Sequence, residues 1–240
     1  MSCLVLDIGN TKVKAAIVTD SAWTMLPSRT NLTTDWLKKI FIKHNITKVI
    51  RATVRQDDPI ISDWLLQNTP LFVEFATDLP LPITIKYTTP HTLGKDRLAA
   101  VLGAWQTYPH QNTLVIDAGT CIKYDIITAE GNYLGGSIAP GIRMRLRAMH
   151  EFTARLPLVE RQLAIPDFIG DSTETALRTG GQLAAALEAK GFVELYRSRF
   201  APLNVVLTGG DAMYLKPYLP DAIVDNTLIM RGLYSVIDNY

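Results

Sequence analysis

Two acidic glycine turns of the same form lie in the sequence, each directly after a short apolar run. Residues 4–11 read LVLDIGNT and residues 114–120 read LVIDAGT. A strand-end carboxylate followed by glycine and threonine suits a Mg²⁺-bound triphosphate, because the carboxylate holds the hydrated cation while backbone N–H groups and hydroxyls bind phosphate oxygens. A single motif of this kind is explained equally well as a hairpin turn with a capping Asp. The second acidic glycine turn favours phosphoryl transfer, since two such turns facing each other would bind the phosphates of a nucleotide from both sides.

A second candidate group is LGKDR at residues 93–97, directly before an apolar helical pattern. Asp96 suits a general base for a substrate hydroxyl, and Arg97 suits a two-pronged contact with a substrate carboxylate. The alternative is structural, because a carboxylate before the first helical turn also caps a helix. A third glycine element, TGGDA at residues 208–212, follows an apolar strand pattern. Its glycines would let the backbone approach a nucleotide closely, which makes it a candidate adenosine site.

Strands and helices must position these groups. Apolar, β-branched runs at residues 13–19 and 122–128 follow the two acidic turns, and this pattern predicts two β-hairpins. The Pro-rich residues 78–90 predict a connecting loop or an edge strand, because proline cannot donate to a central ladder. Strand patterns alternating with helical patterns predict a mixed α/β fold. The helical patterns cover residues 98–108, 142–156 and 173–200, with Gly180 and Gly181 expected to divide the last.

The repetition of the acidic turn predicts the domain organisation. Asp7 and Asp117 lie nearly half the chain apart, and the apolar runs around them match. A self-similar segment of this length indicates a duplicated structural unit. We therefore expect two related α/β lobes, residues 1–112 and 113–240, with an active-site cleft between them.

The composition limits the classes of partner. The 240 residues carry 24 Lys and Arg against 23 Asp and Glu, a formal net charge of +1, which argues against binding nucleic acid or membrane by bulk electrostatics. Histidine and cysteine spacings match no usual zinc site, so any metal is expected to be a hard cation held by oxygens. Cys3 and Cys121 are predicted to be reduced and buried. Because Asp7 interrupts the N-terminal apolar stretch and no apolar run reaches transmembrane length, we expect a cytoplasmic protein.

Seven motifs occur in chain order: DIGNT (7–11), Tyr87 with Pro90, LGKDR (93–97), DAGT (117–120), GGSIAPG (135–141), GDST (170–173) and TGGDA (208–212). Together they resemble the motifs of the type III pantothenate kinases, members of the acetate and sugar kinase, heat-shock protein 70 and actin superfamily. The resemblance implies duplicated ribonuclease-H-like lobes of the actin-like ATPase type. It also implies ATP-dependent phosphorylation of pantothenate to 4'-phosphopantothenate, the first step of coenzyme A biosynthesis, by a homodimer.

The resemblance further implies roles for individual residues. Asp96 is the proton acceptor, and Asp117 binds a monovalent cation, either K⁺ or NH₄⁺. The residues themselves, rather than the resemblance, make Asp7 the candidate that holds Mg²⁺ through water. The implied ATP-binding residues are Asp7, Ile8, Gly9, Asn10, Thr11, Lys12, Val13, Lys14 and Thr120. The implied pantothenate contacts are Tyr87, Gly94, Lys95, Asp96, Arg97 and Thr173.

The sequence departs from the family pattern directly after its second acidic turn. The family commonly continues with Ala-x-Thr, whereas Cys121, Ile122 and Lys123 follow here, so a cation stands where a hydroxyl is usual. An inward Lys123 would supply the charge of the monovalent cation or contact phosphate. The alternative is that Lys123 faces solvent from its strand.

Two other functions stay open at the level of the sequence. A different kinase or a phosphatase of the same superfamily would share Asp7, Asp117, Gly209 and Gly210 without needing the LGKDR group. A non-catalytic relative, such as a transcription accessory protein, would keep the fold alone. The retained acidic residues favour an enzyme, and the absence of a basic tail argues against direct DNA binding.

Overall fold

A computed structural model describes residues 2–238, which form eleven strands and eight α-helices. The strands are β1 (Ser2–Ile8), β2 (Val13–Thr19), β3 (Ala22–Arg29), β4 (Ile46–Thr53), β5 (Leu71–Glu74), β6 (Thr84–Ile85), β7 (Thr113–Ala118), β8 (Cys121–Ile127), β9 (Asn132–Pro140), β10 (Asn204–Thr208) and β11 (Ile223–Val224). The helices are α1 (Thr34–His44), α2 (Pro59–Asn68), α3 (Lys95–Thr107), α4 (Ile142–Glu151), α5 (Thr173–Arg178), α6 (Ala184–Phe200), α7 (Ala212–Leu215) and α8 (Leu228–Ile237).

The chain divides into two compact units, and the first is discontinuous in sequence. Within the described residues, unit 1 consists of residues 2–107 and 227–238, and unit 2 consists of residues 108–226. The predicted boundary between residues 112 and 113 lies close to the point where the chain passes from unit 1 to unit 2, after residue 107. The return of the chain to unit 1 at residue 227 was not predicted. The physical reason is α8, which packs lengthwise on α3 and so returns the end of the described chain to unit 1.

Unit 1 is built on a sheet with the strand order β3-β2-β1-β4-β5. The first three strands are antiparallel, and β4 and β5 continue the sheet in parallel to β1. Leu4 and Leu6 of β1 form a buried cluster with Leu37 of α1 and Leu65 of α2, while α8 packs against β1 and β4 and α3 packs against β4. The sheet is therefore covered by apolar helix faces, as a half-parallel sheet requires.

Unit 2 repeats this topology. Its strands follow the order β9-β8-β7-β10-β11, with β7, β8 and β9 antiparallel and with β10 and β11 parallel to β7. Position by position, β7 corresponds to β1 and β10 corresponds to β4. Both predicted hairpins are present, and the equal strand order supports the predicted duplication.

Helix lengths differ from the sequence patterns at two places. The pattern over residues 142–156 ends as a helix at Glu151. Gly180 and Gly181 do not divide the next helical region, because Thr179–Leu183 form a wide π turn that joins α5 to α6 without a break. A Cβ atom on Gly181 would lie 2.6 Å from Leu146 Cδ2, so this glycine lets α4 pack against the wide turn.

Cysteine burial also differs from the expectation. Both thiols are free, and Cys3 is buried, but Cys121 is only partly buried, so its predicted burial is wrong. Cys121 begins β8 directly after the second acidic turn, where the strand end stays accessible. Between residues 2 and 238, no helix has both the length and the apolar character needed to cross a membrane.

Candidate active site

The first acidic turn connects β1 to β2. Asp7 lies near the end of β1 with 6% of its surface exposed, directly opposite Lys14 in the antiparallel register. The Gly9 N–H donates to the Lys12 carbonyl oxygen at 3.0 Å and closes the turn. Asn10 and Thr11, at its tip, are exposed. The arrangement presents a buried carboxylate beside an open, polar turn, as a metal-bound phosphate tail requires.

Arg55 braces this turn from the neighbouring parallel strand. Its Nε donates to the Gly9 carbonyl oxygen at 2.6 Å, and its Nη1 donates to the Thr30 carbonyl oxygen at 2.8 Å. The Val54 N–H, just after β4, donates to the Ile8 carbonyl oxygen at 3.1 Å. Sequence reasoning missed Arg55, because only the parallel pairing of β1 with β4 brings it to the turn.

Asp96 lies in the first turn of α3 and is not the cap of that helix. The Leu98 N–H donates to the Gly94 carbonyl oxygen at 3.1 Å, so Gly94 occupies the cap position. Asp96 Oδ1 accepts from the Arg97 N–H at 2.9 Å. A Cβ atom on Gly94 would lie 2.8 Å from that same oxygen. Glycine before the helix therefore leaves room for the carboxylate, and the capping alternative does not describe Asp96.

Arg97 and Tyr87 lie together beside that carboxylate. Arg97 is 5% exposed, and its guanidinium carbon lies 5.5 Å from the centre of the Tyr87 ring. Arg97 Nη1 is 3.5 Å from Tyr87 Oη, a long hydrogen bond. A guanidinium held against an aromatic ring has restricted freedom, which favours a fixed contact with a ligand anion.

Lys95 belongs to a charged network inside unit 1. Lys95 Nζ lies 3.0 Å from Glu74 Oε1, and Arg51 Nε lies 2.7 Å from Glu74 Oε2. Arg51, on β4, is almost fully buried and also contacts Asp57 at 3.1 Å and the Ser62 hydroxyl at 2.8 Å. The Ser62 hydroxyl, and then Arg51, lower the pKa of the Asp57 carboxyl. Glu74 thus links the start of α3 to β4, a connection that the sequence motifs do not reveal.

The second acidic turn has its own charged partner in unit 2. Asp117, near the end of β7, lies directly opposite Lys123 in β8, and Lys123 Nζ is 2.6 Å from Asp117 Oδ2. The Gly119 N–H donates to the Cys121 carbonyl oxygen at 3.0 Å. Lys123 therefore points to Asp117, and the alternative in which it faces solvent is wrong.

The TGGDA segment folds against this second turn. Gly209 has a φ of +91°, and a Cβ atom there would lie 2.6 Å from Asp117 Oδ1. The Asp211 N–H donates to the Ala118 carbonyl oxygen at 2.9 Å. Burial raises the pKa of the Asp211 carboxyl, opposed by Arg161, whose Nε lies 3.2 Å from Asp211 Oδ1. The close approach explains why glycine is needed at the end of β10.

The remaining predicted site residues lie in unit 2. Thr120 is exposed at the second turn, where its carbonyl oxygen accepts from the Gly141 N–H at 3.1 Å. Thr173 is the exposed first residue of α5, directly after the Ser172 cap. The other predicted pantothenate contacts, Tyr87 and Gly94 to Arg97, belong to unit 1.

Comparison with solved structures shows which fold the chain has. A Campylobacter jejuni structure described as a conserved Baf family transcriptional activator aligns with a TM-score of 0.60 and 24% identity, covering 98% of each chain. A glucokinase from an Antarctic psychrotroph aligns with a TM-score of 0.53 and 10% identity, over 100% of this chain and 99% of the other. A ROK family protein from Streptococcus pneumoniae gives the same TM-score at 13% identity, with the same coverage. These likenesses confirm the duplicated ribonuclease-H-like fold of the actin-like ATPases and sugar kinases.

Sequence comparison defines the family. The family model described as type III pantothenate kinase matches residues 3–195. A type III pantothenate kinase from Bacteroides fragilis is 37% identical over 236 residues, 98% of this chain and 97% of the relative. One from Flavobacterium johnsoniae is 40% identical over 228 residues, 93% of this chain and 92% of the relative. The chain belongs to the type III pantothenate kinase family, and its activity is the ATP-dependent phosphorylation of pantothenate in coenzyme A biosynthesis.

Proposed function

We propose that Asp96 accepts the proton of the pantothenate hydroxyl and that residues 7–14 hold the phosphates of ATP. The observation that carries the proposal is the Asp96 carboxylate at the start of α3. Gly94 leaves it room, and its neighbour Arg97 is buried against Tyr87. A carboxylate beside a fixed guanidinium provides a proton acceptor and an anion clamp on one rigid element.

The chemistry required of the chain is mainly positioning and charge neutralisation. The pantothenate hydroxyl oxygen forms a bond to the γ-phosphorus of ATP while the bond from that phosphorus to the β,γ-bridging oxygen breaks. The hydroxyl proton passes to Asp96, and ADP leaves with the electron pair of the broken bond. Arg97 binds the substrate carboxylate, since its planar donors match two carboxylate oxygens. Tyr87 fixes the orientation of that guanidinium.

The first turn fits a divalent cation with its nucleotide. Asp7 supplies a carboxylate that is almost fully buried, and the exposed Asn10 and Thr11 supply polar groups next to it. Oxygen ligands of this kind suit Mg²⁺, which neutralises phosphate charge during transfer when it is bound. Lys14, opposite Asp7 in the strand register, adds a positive charge at the same strand ends. Arg55 stabilises the conformation of this turn by donating a hydrogen bond to the Gly9 carbonyl oxygen.

Two Asp-to-Asn variants test the role of Asp96. Asp96→Asn keeps the shape and removes the proton acceptor, so we expect kcat to fall by roughly 10²-fold or more. Asp35→Asn is the matched control, because Asp35 also lies in the first turn of a unit 1 helix but is exposed. The measurement is pantothenate-dependent ADP release in a coupled assay, with thermal unfolding recorded for both variants. Near-normal turnover by a folded Asp96→Asn protein would sink the assignment.

The assembly and location are also proposals. Apolar side chains between α4 and α5 are strongly exposed: Phe152 is 86%, Leu163 is 78% and Phe168 is 76% exposed. Such exposure supports a homodimer in which a second copy covers this segment. Light scattering after gel filtration tests it, and a monomer at assay concentration contradicts it. A cytoplasmic location stays a prediction, to be tested by cell fractionation.

A further inference from the structure

A buried ion pair lies at the position where the family resemblance implies a monovalent cation. The antiparallel register sets Asp117 directly opposite Lys123, and directly opposed residues project from the same face of a sheet. The two side chains are 13% and 14% exposed, and 2.6 Å separates Lys123 Nζ from Asp117 Oδ2. This is a short, charge-assisted hydrogen bond between largely buried groups.

The surroundings of Asp117 do not fit an additional cation on the same carboxylate. Asp117 Oδ2 contacts the Lys123 ammonium. Asp117 Oδ1 faces Gly209 so closely that a Cβ atom added to that glycine would lie 2.6 Å from the oxygen. A free cation at Asp117 would meet the positive charge of Lys123 in a partly desolvated site, where like charges repel strongly.

We propose that the Lys123 ammonium replaces the monovalent cation at Asp117, so that this kinase works without K⁺ or NH₄⁺. The Lys123 ammonium group carries the same charge as K⁺ or NH₄⁺. Because it is covalently attached to the chain, its charge does not depend on the salt concentration. The strand register places this ammonium beside Asp117, because the turn between β7 and β8 determines which residue lies opposite Asp117. The inference rests on the proposed function, since it concerns the cation requirement of that same reaction.

The first experiment measures wild-type turnover in a buffer whose only monovalent cation is tetramethylammonium, then with KCl or NH₄Cl added. We expect rates that agree within about twofold, the range of ordinary salt screening. A rise of about tenfold or more on adding K⁺ would overturn the inference while leaving the kinase activity intact. Absence of pantothenate-dependent ADP release in every salt would instead remove the proposed function, so the two failures are distinguishable.

The second experiment removes the tethered charge. Lys123→Ala leaves Asp117 without its ammonium and opens space, so we expect turnover to fall by roughly 10²-fold and to recover partly with K⁺ or NH₄⁺. Lys123→Met also loses the charge but fills the space, and no recovery is expected. Lys190→Ala on the exposed face of α6 is the control, with turnover unchanged in all salts.

A direct binding measurement separates a cation site from a phosphate contact. Calorimetric titration with K⁺ is expected to show binding to Lys123→Ala and none to the wild-type chain. K⁺ should also raise the melting temperature of Lys123→Ala alone. Cation binding by the wild-type chain would contradict the proposal. Loss of activity in Lys123→Ala with neither recovery nor K⁺ binding would also contradict it, and would assign Lys123 to phosphate instead.

Discussion

The close crossing of α3 and α8 makes a sharp prediction about Gly232. A Cβ atom there would lie 2.7 Å from the Gly103 nitrogen and 2.8 Å from the Ala99 carbonyl carbon, both of them backbone atoms of α3. Gly103 faces α8 in the same way, because its own Cβ would lie 2.8 Å from the Leu228 carbonyl carbon. Backbone atoms cannot rotate aside. The Ala99 carbonyl oxygen would lie closer still, so the two helices of Gly232→Ala must separate by more than about 1 Å to restore ordinary van der Waals distances.

Two opposing effects set the magnitude. Alanine stabilises a helix interior by about 0.5–1 kcal/mol relative to glycine, whereas overpacking a filled contact costs about 1–3 kcal/mol. The upper end of that cost applies here, because the obstacles are backbone atoms of α3, whose residues 97–104 are all buried. We expect Gly232→Ala to lower the free energy of unfolding by about 2–2.5 kcal/mol, with roughly 2–4 °C lost in Tm for each kcal/mol.

The displacement of α3 should also lower the catalytic activity. Asp96 and Arg97 lie in the first turn of α3, and a displacement of about 1 Å at a reacting group can lower the rate by up to about 10²-fold. The assays are urea unfolding followed by circular dichroism, and steady-state kinetics with pantothenate as the varied substrate. We expect kcat/KM for pantothenate to fall together with stability.

Gly191→Ala is the matched control. Gly191 lies inside α6, and nothing approaches within 4 Å of the position that its Cβ would occupy. This variant should gain about 0.5–1 kcal/mol from helix propensity alone and keep its kinetics. If Gly232→Ala gained stability as Gly191→Ala does, the close backbone crossing and the reasoning built on it would be refuted.

Further perturbations test the site. Gly94→Ala should displace the Asp96 carboxylate and lower kcat by about tenfold or more with little change in Tm, because its Cβ would meet Asp96 Oδ1; unchanged kcat would argue against this crowding. Arg55→Ala removes two charge-assisted hydrogen bonds from the first turn, so the KM for ATP should rise about tenfold while the KM for pantothenate stays the same. Burial raises the pKa of the Cys3 thiol from 9.0 to about 12, so a thiol reagent at neutral pH should label Cys121 alone, as peptide mass spectrometry would reveal. Because the buried Cys3 thiol holds its proton to a higher pH than the unfolded thiol does, the fold should lose stability as the pH rises from 9.0 towards about 12, which alkaline unfolding curves would measure.

Local features of the fold were accessible from the sequence. Each acidic turn and its two flanking strands lie within about twenty residues, so apolar patterning and glycine placement predict the hairpins. The repetition of the motif then predicts the duplication. The Asp117 and Lys123 pair also follows from local register, because the length of the second turn alone decides which residues face each other.

Features that depend on distant contacts were not accessible. The apolar pattern of α8 does not indicate that α8 packs against α3, because all of unit 2 lies between the two helices in the sequence. Glu74 joins Lys95 to Arg51 through two strands and a helix start, and only the sheet register specifies that meeting. Gly181 looked like a helix breaker, yet it serves as a contact point for Leu146. Glycine in a helical pattern therefore has two opposite meanings that sequence alone does not separate.

The discontinuity of unit 1 has a consequence for the order of events during protein synthesis. The ribosome makes all of unit 2 after α3 and before α8. At roughly 5–20 residues per second, the intervening 120 or so residues take on the order of 6–24 s, during which the apolar face of α3 waits for its cover. Asp96 and Arg97, in the first turn of α3, are thus synthesised well before the helix that packs on α3. We expect a chain whose translation stalls after β11 to contain the sequence motifs of a kinase and to expose the apolar face of α3, which chaperones would bind.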